Sequence, residues 1–564
     1  MNVIGGKSWK SFLIFYCVGF FVFISLDPGM VNWLKSIQYD LHEGEFPLVR
    51  ILALLISSAI VVTPIMMPNR WAQLVYISGL AVLSIIGLSF RFINGQFTHW
   101  EAMLTINEFG FAGSAITEFI SIIALATALT ILALSALFWW RPKLSSPLTS
   151  APNVISVALL LPWLFPALYL MIASGGYLMY HFALPMKVAS SLVYVAQKPL
   201  YQGERTAVSL TASELASQYH IMLIVDESIR GDLLSINGGP QSTTPYLNAL
   251  FHQKSTERNL AVHNYGVVNA TANCSARSNL LLRTGITAQR LPLETEALFK
   301  QPNIFQYAQA AGFHSVYMDA QVEGRRLNNL FTQREIDRID EYWVIKNHHD
   351  LPEHKLDQTM ATDIGQRLAV AEEPQFYYIN KAGTHFPYNV TFPAENYSAS
   401  TEKKETYIQA LNWSVDEFFK VLIPQLSQAK LPAVVIYTSD HGQGLGEQGN
   451  HSTHCLPKDV PVEQALVPLL LISVGDDEKG SLIKLFKQQV GVYSQFQVFP
   501  TLLTLLGYQS STKEHGKDLS QPWGQSRLVY LSGDISGRGQ LYKNDFNWPS
   551  QQVSTIEGTN EPAP

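Results

Sequence analysis

Five near-continuous apolar runs occupy the first third of the chain: Ser11 to Leu26, Ile51 to Met67, Trp71 to Phe90, Phe119 to Trp140 and Val154 to Tyr180. A helix crossing a hydrocarbon core of about 30 Å needs about 20 apolar residues, so the last three runs suffice alone and the first two do so with flanking residues. Several such segments in succession, joined by short connections, are hard to house in a water-soluble core. With 47% hydrophobic and 15% charged residues, the 564-residue chain also carries too few charges for an ordinary soluble protein. The first run follows Lys7 and Lys10 and precedes no small-residue cleavage site, so it reads as an uncleaved span.

The short connections fix an orientation. Lys7, Lys10, Arg70, Arg141 and Lys143 fall on one side, whereas Asp27, Asp40, Glu43, Glu45, Glu101 and Glu108 fall on the other. The positive-inside rule then puts the amino terminus in the cytoplasm and everything after about residue 180 outside. The expected organisation is a five-helix transmembrane domain over 1–180, a linker over 181–215, a catalytic domain over 216–540 and a poorly ordered tail over 541–564.

The second region has a different rhythm. Short runs such as "YHIMLIVDES", "HSVYMDA", "QFYYINKAGTH", "AVVIYTSDHG" and "VPLLLIS" read as buried strands, and "NIFQYAQAAG" has helical spacing. The pattern predicts an α/β domain with a mostly parallel sheet, in which ligands bind beyond the carboxyl ends of the strands. At those ends stand Asp226 and Glu227, then Lys381 and His385, then Asp440 and His441, with His451 and His454 shortly after. Carboxylates with imidazoles suit zinc, and less well manganese, rather than calcium, which prefers oxygen alone. The net charge of −6 and the lack of a basic stripe exclude a nucleic-acid partner.

The blocks "IVDESIRGDLLSINGGPQSTTPYL", "AGTHFPY", "TSDHGQGLGEQG" and "THCLPKDVPVEQALVP", in that order, resemble the bacterial inner-membrane phosphoethanolamine transferases of the alkaline phosphatase/sulfatase superfamily. The resemblance implies a multi-pass inner-membrane protein, five helices followed by a periplasmic sulfatase-like domain. It also implies Glu227, Asp440 and His441 as ligands of one zinc, completed by the nucleophile. His385 and His454 would line the substrate or a second-metal side, with His451 the alternative to His454. Asp319 and Gln321 match a polar cluster lining the pocket, and Lys381 could meet a phosphate as a point charge. The implied reaction carries phosphoethanolamine from phosphatidylethanolamine through a covalent enzyme intermediate to an envelope glycolipid, lipid A or lipopolysaccharide core.

In "TANCSARSNLLLRTG" the family's nucleophilic threonine falls on Cys274. A helix start and an adjacent cation would depress its thiol pKa, making a zinc-bound, nucleophilic thiolate feasible. Ser275 is the oxygen alternative. "CSA" also fits the start of a sulfatase signature, whose cysteine becomes formylglycine, so a membrane-anchored sulfatase is the rival activity. A non-catalytic lipid-binding protein on the same fold is another. Of the three cysteines, Cys274 and Cys455 are both placed outside the membrane, so a disulfide between them is a further possibility in that oxidising compartment.

Overall fold

The computed structural model describes helices α1 (Leu48–Val62), α2 (Arg70–Asn94), α3 (Ile120–Trp140) and α4 (Leu184–Gln197) in the first part of the chain. In the second it describes residues 204–546, save short stretches that include 214–217, 253–259, 323–328, 396–401, 448–452, 456–459, 476–483 and 533–540. The chain divides into two compact units, Met1–Pro199 and Leu200–Pro564.

In the first unit, two stretches among the described residues, Arg70–Phe92 and Ile120–Trp139, are long and apolar enough to cross a membrane. Trp71, Val75, Ile131 and Leu132 on these helices are exposed, a distribution suited to lipid rather than to water. The run expected at 51–67 is described as far as Val62, within a 15-residue helix. The spans expected at 11–26 and 154–180 lie outside the described residues, Ile14 and Cys17 excepted.

The linker expected over 181–215 is largely packed structure. Leu184 and Val188 of α4 are buried with Leu88 of α2 and Ala126 of α3. Gly87 permits the approach, since a Cβ there would lie 2.8 Å from Leu184 Cγ. Residues 204–213 belong instead to the second unit, where the Thr206 N–H donates to Lys300 O at 2.8 Å and the Ser213 N–H to Gly507 O at 2.9 Å. Leucine and valine at helical spacing order the described residues of one half, and backbone partners those of the other.

The second unit is built on a seven-stranded sheet in the order β2-β7-β6-β1-β5-β3-β4. The strands are β1 (His220–Asp226), β2 (Leu260–Asn269), β3 (His314–Asp319), β4 (Glu341–Val344), β5 (Gln375–Asn380), β6 (Ala433–Ser439) and β7 (Leu466–Val474). From β6 to β4 the sheet is parallel, and β2 and β7 add antiparallel pairings at one side. Every residue of β1, β6 and β7 is buried, as expected where both faces are covered.

Helix α5 (Ser275–Thr284) packs on one face of the sheet through Leu282. On one face Ile221, Leu223 and Val225 join Val498 and Leu502 of α9 (Val498–Leu505). On the other, Met222 and Ile224 join Leu356 and Met360 of α6 (Glu353–Val370) and Phe418 and Leu422 of α8 (Phe418–Leu426). Between α7 (Lys403–Leu411) and α8 the chain makes a π turn, Asn412–Glu417.

The first residues of the tail expected from 541 are ordered. Leu541–Asp545 forms β9, antiparallel to β8 (Arg527–Leu531), and Tyr542 stacks on Tyr530 at 5.6 Å. Aromatic pairing across the two strands supplies the order that composition hid. Residues 547–564 lie outside the described residues.

Candidate active site

Strands β1 and β6 run side by side with Asp226 opposite Ser439, so the residues just beyond them meet. These are Glu227, Asp440 and His441, whose ligating atoms all lie within 4.8 Å of one another. The chain turns sharply here: Ser228 has φ 63°, and its N–H donates to Asp440 Oδ1 at 3.0 Å. Gly383, φ 63°, lies against the same turn, where a Cβ would meet Glu227 O at 2.5 Å. Only glycine fits so close a backbone approach.

Each group in the cluster is oriented. Glu227 accepts from Ser228 Oγ at 2.7 Å on Oε1 and from Gln321 Nε2 at 3.0 Å on Oε2. His441 Nδ1 lies 2.6 Å from Gly442 O, a pure acceptor, so this nitrogen carries the proton and Nε2 offers its lone pair to the cluster. Around that Nε2 are Ser275 Oγ at 3.1 Å, Glu227 Oε1 at 3.5 Å and Asp440 Oδ2 at 3.5 Å.

This arrangement fits a zinc ion. Four ligands held about 2.0–2.1 Å from a metal stand about 3.3 Å apart at the corners of a tetrahedron. The separations from Nε2 fall around that value. Asp440 Oδ2 is buried without a hydrogen-bond partner. Burial and the facing Glu227 push the Asp440 carboxyl up to about 7, and burial also raises Glu227. Two buried carboxylates with one orphaned oxygen are what a bound cation would resolve.

Ser275 is the first residue of α5, and Cys274 is its N-cap. Cys274 is joined to Cys455 in a disulfide. A disulfide sulfur is neither a thiolate nor a free thiol, so the expectations of Cys274 as nucleophile, as zinc ligand and as formylglycine precursor are corrected for this oxidised chain. The hydroxyl beside it, not the sulfur, faces His441.

The expected histidines converge. His454 stacks on His441 at 4.4 Å, and His385, which is exposed, lies 6.2 Å from His454 between ring centres. The His454 pKa is pushed well below its ordinary value by desolvation, then by His441 and His385. His385, Gln321 and Glu227 line an open cleft of about 330 Å³ with Lys346, Glu353 and Thr391. His451 lies outside the described residues.

Two expected pocket residues lie elsewhere. Lys381 is fully buried, donating to Asp226 Oδ2 and to Ser414 O, with its ammonium 4.2 Å from the Phe418 ring centre. A phosphate cannot reach it, because its charge is already spent on Asp226. Asp319 is also fully buried, accepting from Tyr317 Oη, Asn380 Nδ2 and the N–H groups of Gln321 and Val322. It holds the turn that presents Gln321 and does not itself line the cleft.

Sequence reasoning missed Asp357 and Ser414. Asp357 accepts from the N–H groups of Ala382 and Gly383 at 2.8 and 3.1 Å, fixing the turn before His385. Its signal was an aspartate beside the apolar stripe Leu356, Met360 and Ile364 of α6. The π turn that turns the Ser414 carbonyl towards Lys381 left no mark in a pattern that reads as continuous helix.

Phosphoethanolamine transferase OpgE of Escherichia coli K12 is 23% identical over 330 residues, covering 57% of this chain and 58% of that protein. Phosphoethanolamine transferase EptA of Helicobacter pylori is 26% identical over 308 residues, covering 50% and 54% respectively. The matches thus span between half and three fifths of these curated relatives. Among solved structures, the integral membrane lipooligosaccharide phosphoethanolamine transferase A of Neisseria meningitidis shares the fold, with TM-score 0.58 and 18% identity over 91% of this chain and 97% of that one. The periplasmic domain of EptC from Escherichia coli in complex with Zn aligns with TM-score 0.50 and 16% identity, over 62% of this chain and 99% of that one. A sulfatase family model matches residues 219–508, and the chain belongs to that family.

Proposed function

We propose that this chain is a zinc-dependent phosphoethanolamine transferase of the bacterial inner membrane, with Ser275 as its nucleophile and its catalytic domain in the periplasm. The observation that carries the reading is the Ser275 hydroxyl 3.1 Å from His441 Nε2, at a helix start, among Glu227 and Asp440. The phosphoethanolamine transferases it resembles suggest the transferred group, and the apolar exposed helices suit donor and acceptor lipids confined with the enzyme in one leaflet.

Glu227, Asp440, His441 and Ser275 Oγ would hold the metal, which when bound supplies Lewis-acid stabilisation of phosphoryl charge and favours the ionised serine. Ser275 Oγ gives its proton to solvent water and forms a bond to the phosphorus of phosphatidylethanolamine as the bond to the diacylglycerol oxygen breaks. His385, at the mouth of the cleft, gives that oxygen its proton. An acceptor hydroxyl or phosphate of lipid A or the lipopolysaccharide core then displaces Ser275, which takes back a proton. The start of α5 adds the positive end of a helix dipole, which stabilises anionic oxygen throughout.

The test is mass mapping of the purified full chain after incubation with phosphatidylethanolamine. A phosphoethanolamine adduct on Ser275, with zinc present by metal analysis, is the expected result. An adduct on another residue moves the nucleophile, and no adduct with no transfer to added lipid A overturns the reading.

A further inference from the structure

Two of the three cysteines of this chain are spent on one bond at the candidate active site, and each directly adjoins a site residue. Cys274 precedes Ser275, and Cys455 follows His454. The two are 181 residues apart in sequence, so the bond ties the start of α5 to the segment that brings His454 over His441 at 4.4 Å. Hydrogen bonds also hold that segment: the Cys455 N–H donates to Asn273 O at 2.8 Å, Thr453 O accepts from the Gly444 N–H at 2.7 Å, and Thr453 Oγ1 lies 3.1 Å from His454 Nδ1. Cys455 sits at φ 59°, a left-handed conformation that a non-glycine residue adopts only when something holds it.

We propose that the Cys274–Cys455 disulfide is a positioning device for His454, and that opening it with a dithiol reversibly lowers turnover. The exchange balances: a dithiol gives two electrons and two protons to the disulfide sulfurs, leaving two cysteine thiols, and itself closes to a disulfide. The bond stands in the oxidising compartment expected for this domain, where oxidants that accept the two electrons let disulfides form and persist. The inference rests on the transferase reading for its kinetic arm only.

The test uses the full chain in detergent, as oxidised wild type, as wild type reduced with dithiothreitol, and as C455A, H454A and H454A/C455A. Hydrogen exchange read by mass spectrometry should quicken at Gly444 and Cys455 when the disulfide is absent, while the β6 peptide stays protected. With phosphatidylethanolamine, reduction or C455A should lower kcat by about ten- to a hundredfold, the scale of a group at the site displaced by about 1 Å, and reoxidation should restore it. In the H454A background C455A should cost nothing more. Unchanged exchange and rate in C455A overturn the proposal, as do losses that multiply in the double variant. A rate increased by reduction also overturns it, because the freed Cys274 would then itself be acting. If C455A fails to fold, reduction of the folded wild type makes the same comparison. If no form turns over, the transferase reading has failed and the exchange result alone decides the tie.

Discussion

Ser275 Oγ stands 3.1 Å from His441 Nε2, and that nitrogen is left unprotonated because Nδ1 faces only the Gly442 carbonyl oxygen. That lone pair is the one the candidate zinc would take, and zinc bound there would itself favour the ionised hydroxyl. Replacing Ser275 with alanine should cut turnover at least about a thousandfold, in line with losses on removing a nucleophile elsewhere. Thermal unfolding should hardly change, because the side chain is only half-buried. Steady-state transfer assayed beside a melting curve checks both, and a Ser275→Ala chain with near-normal turnover would return the nucleophile to another group.

Gln321 touches no reacting atom yet donates to Glu227 Oε2 at 3.0 Å and to Lys381 O at 2.8 Å. Groups that orient a ligand from behind are typically worth about 10–100-fold in metal affinity. Gln321→Leu should therefore weaken zinc binding by about that factor, measured by competition with a chromophoric chelator. Gln321→Glu should weaken it as well, since it faces a carboxylate with another.

How much of this was readable beforehand differs by residue for physical reasons. The rule that ligands gather beyond parallel strand ends brings forward Glu227, Asp440 and His441 together with Asp226, Lys381 and His385, and the family resemblance singles out the three; β1 beside β6 obeys the rule. Lys381 and Asp319 obey the same rule for position but point inwards, and a strand-end location says nothing about which way a long side chain turns. Ser275 and Cys274 differ by one residue, and only three-dimensional proximity to His441 and Cys455 separates their roles. The strap at 204–213 and strand β9 are stabilised by distant backbone and aromatic partners, so their local composition reads as loop.

Beneath the site, Lys381 and Asp226 form an ion pair with both side chains fully buried, and Asp357 Oδ2 stands 3.7 Å from the same ammonium. Burial raises the Asp226 carboxyl to about 6 even against Lys381. Removing one partner of such a pair typically costs about 3–5 kcal/mol, because an uncompensated charge stays in the core. Lys381→Met should lower unfolding stability by roughly that amount, and Asp226→Asn with Lys381→Met should recover much of it. Urea denaturation followed by tryptophan fluorescence measures both. A double variant no better than Lys381→Met would mean that the lysine stabilises through its carbonyl contact and the Phe418 ring instead.

Glu335 joins the strap to the body of the second unit. Its Oε1 meets Arg205 Nη2 at 2.8 Å and Arg283 Nε at 3.5 Å, and accepts from Asn303 Nδ2 at 3.1 Å. Burial alone would raise its pKa, but Arg283 and Arg205 outweigh burial and the carboxyl sits below its ordinary value. A carboxylate whose folded pKa is depressed contributes stability that is fully present above the unfolded value of about 4.3 and is lost as pH falls through the folded value. Wild-type stability should accordingly decline on the acid side of about pH 4.3. Glu335→Gln should lie about 3 kcal/mol below wild type at pH 7, with two buried arginines left uncompensated, and should show a shallower acid decline. Melting curves from pH 7 down to about pH 3 bracket that window, and a variant whose acid limb matches wild type would remove Glu335 as the group responsible.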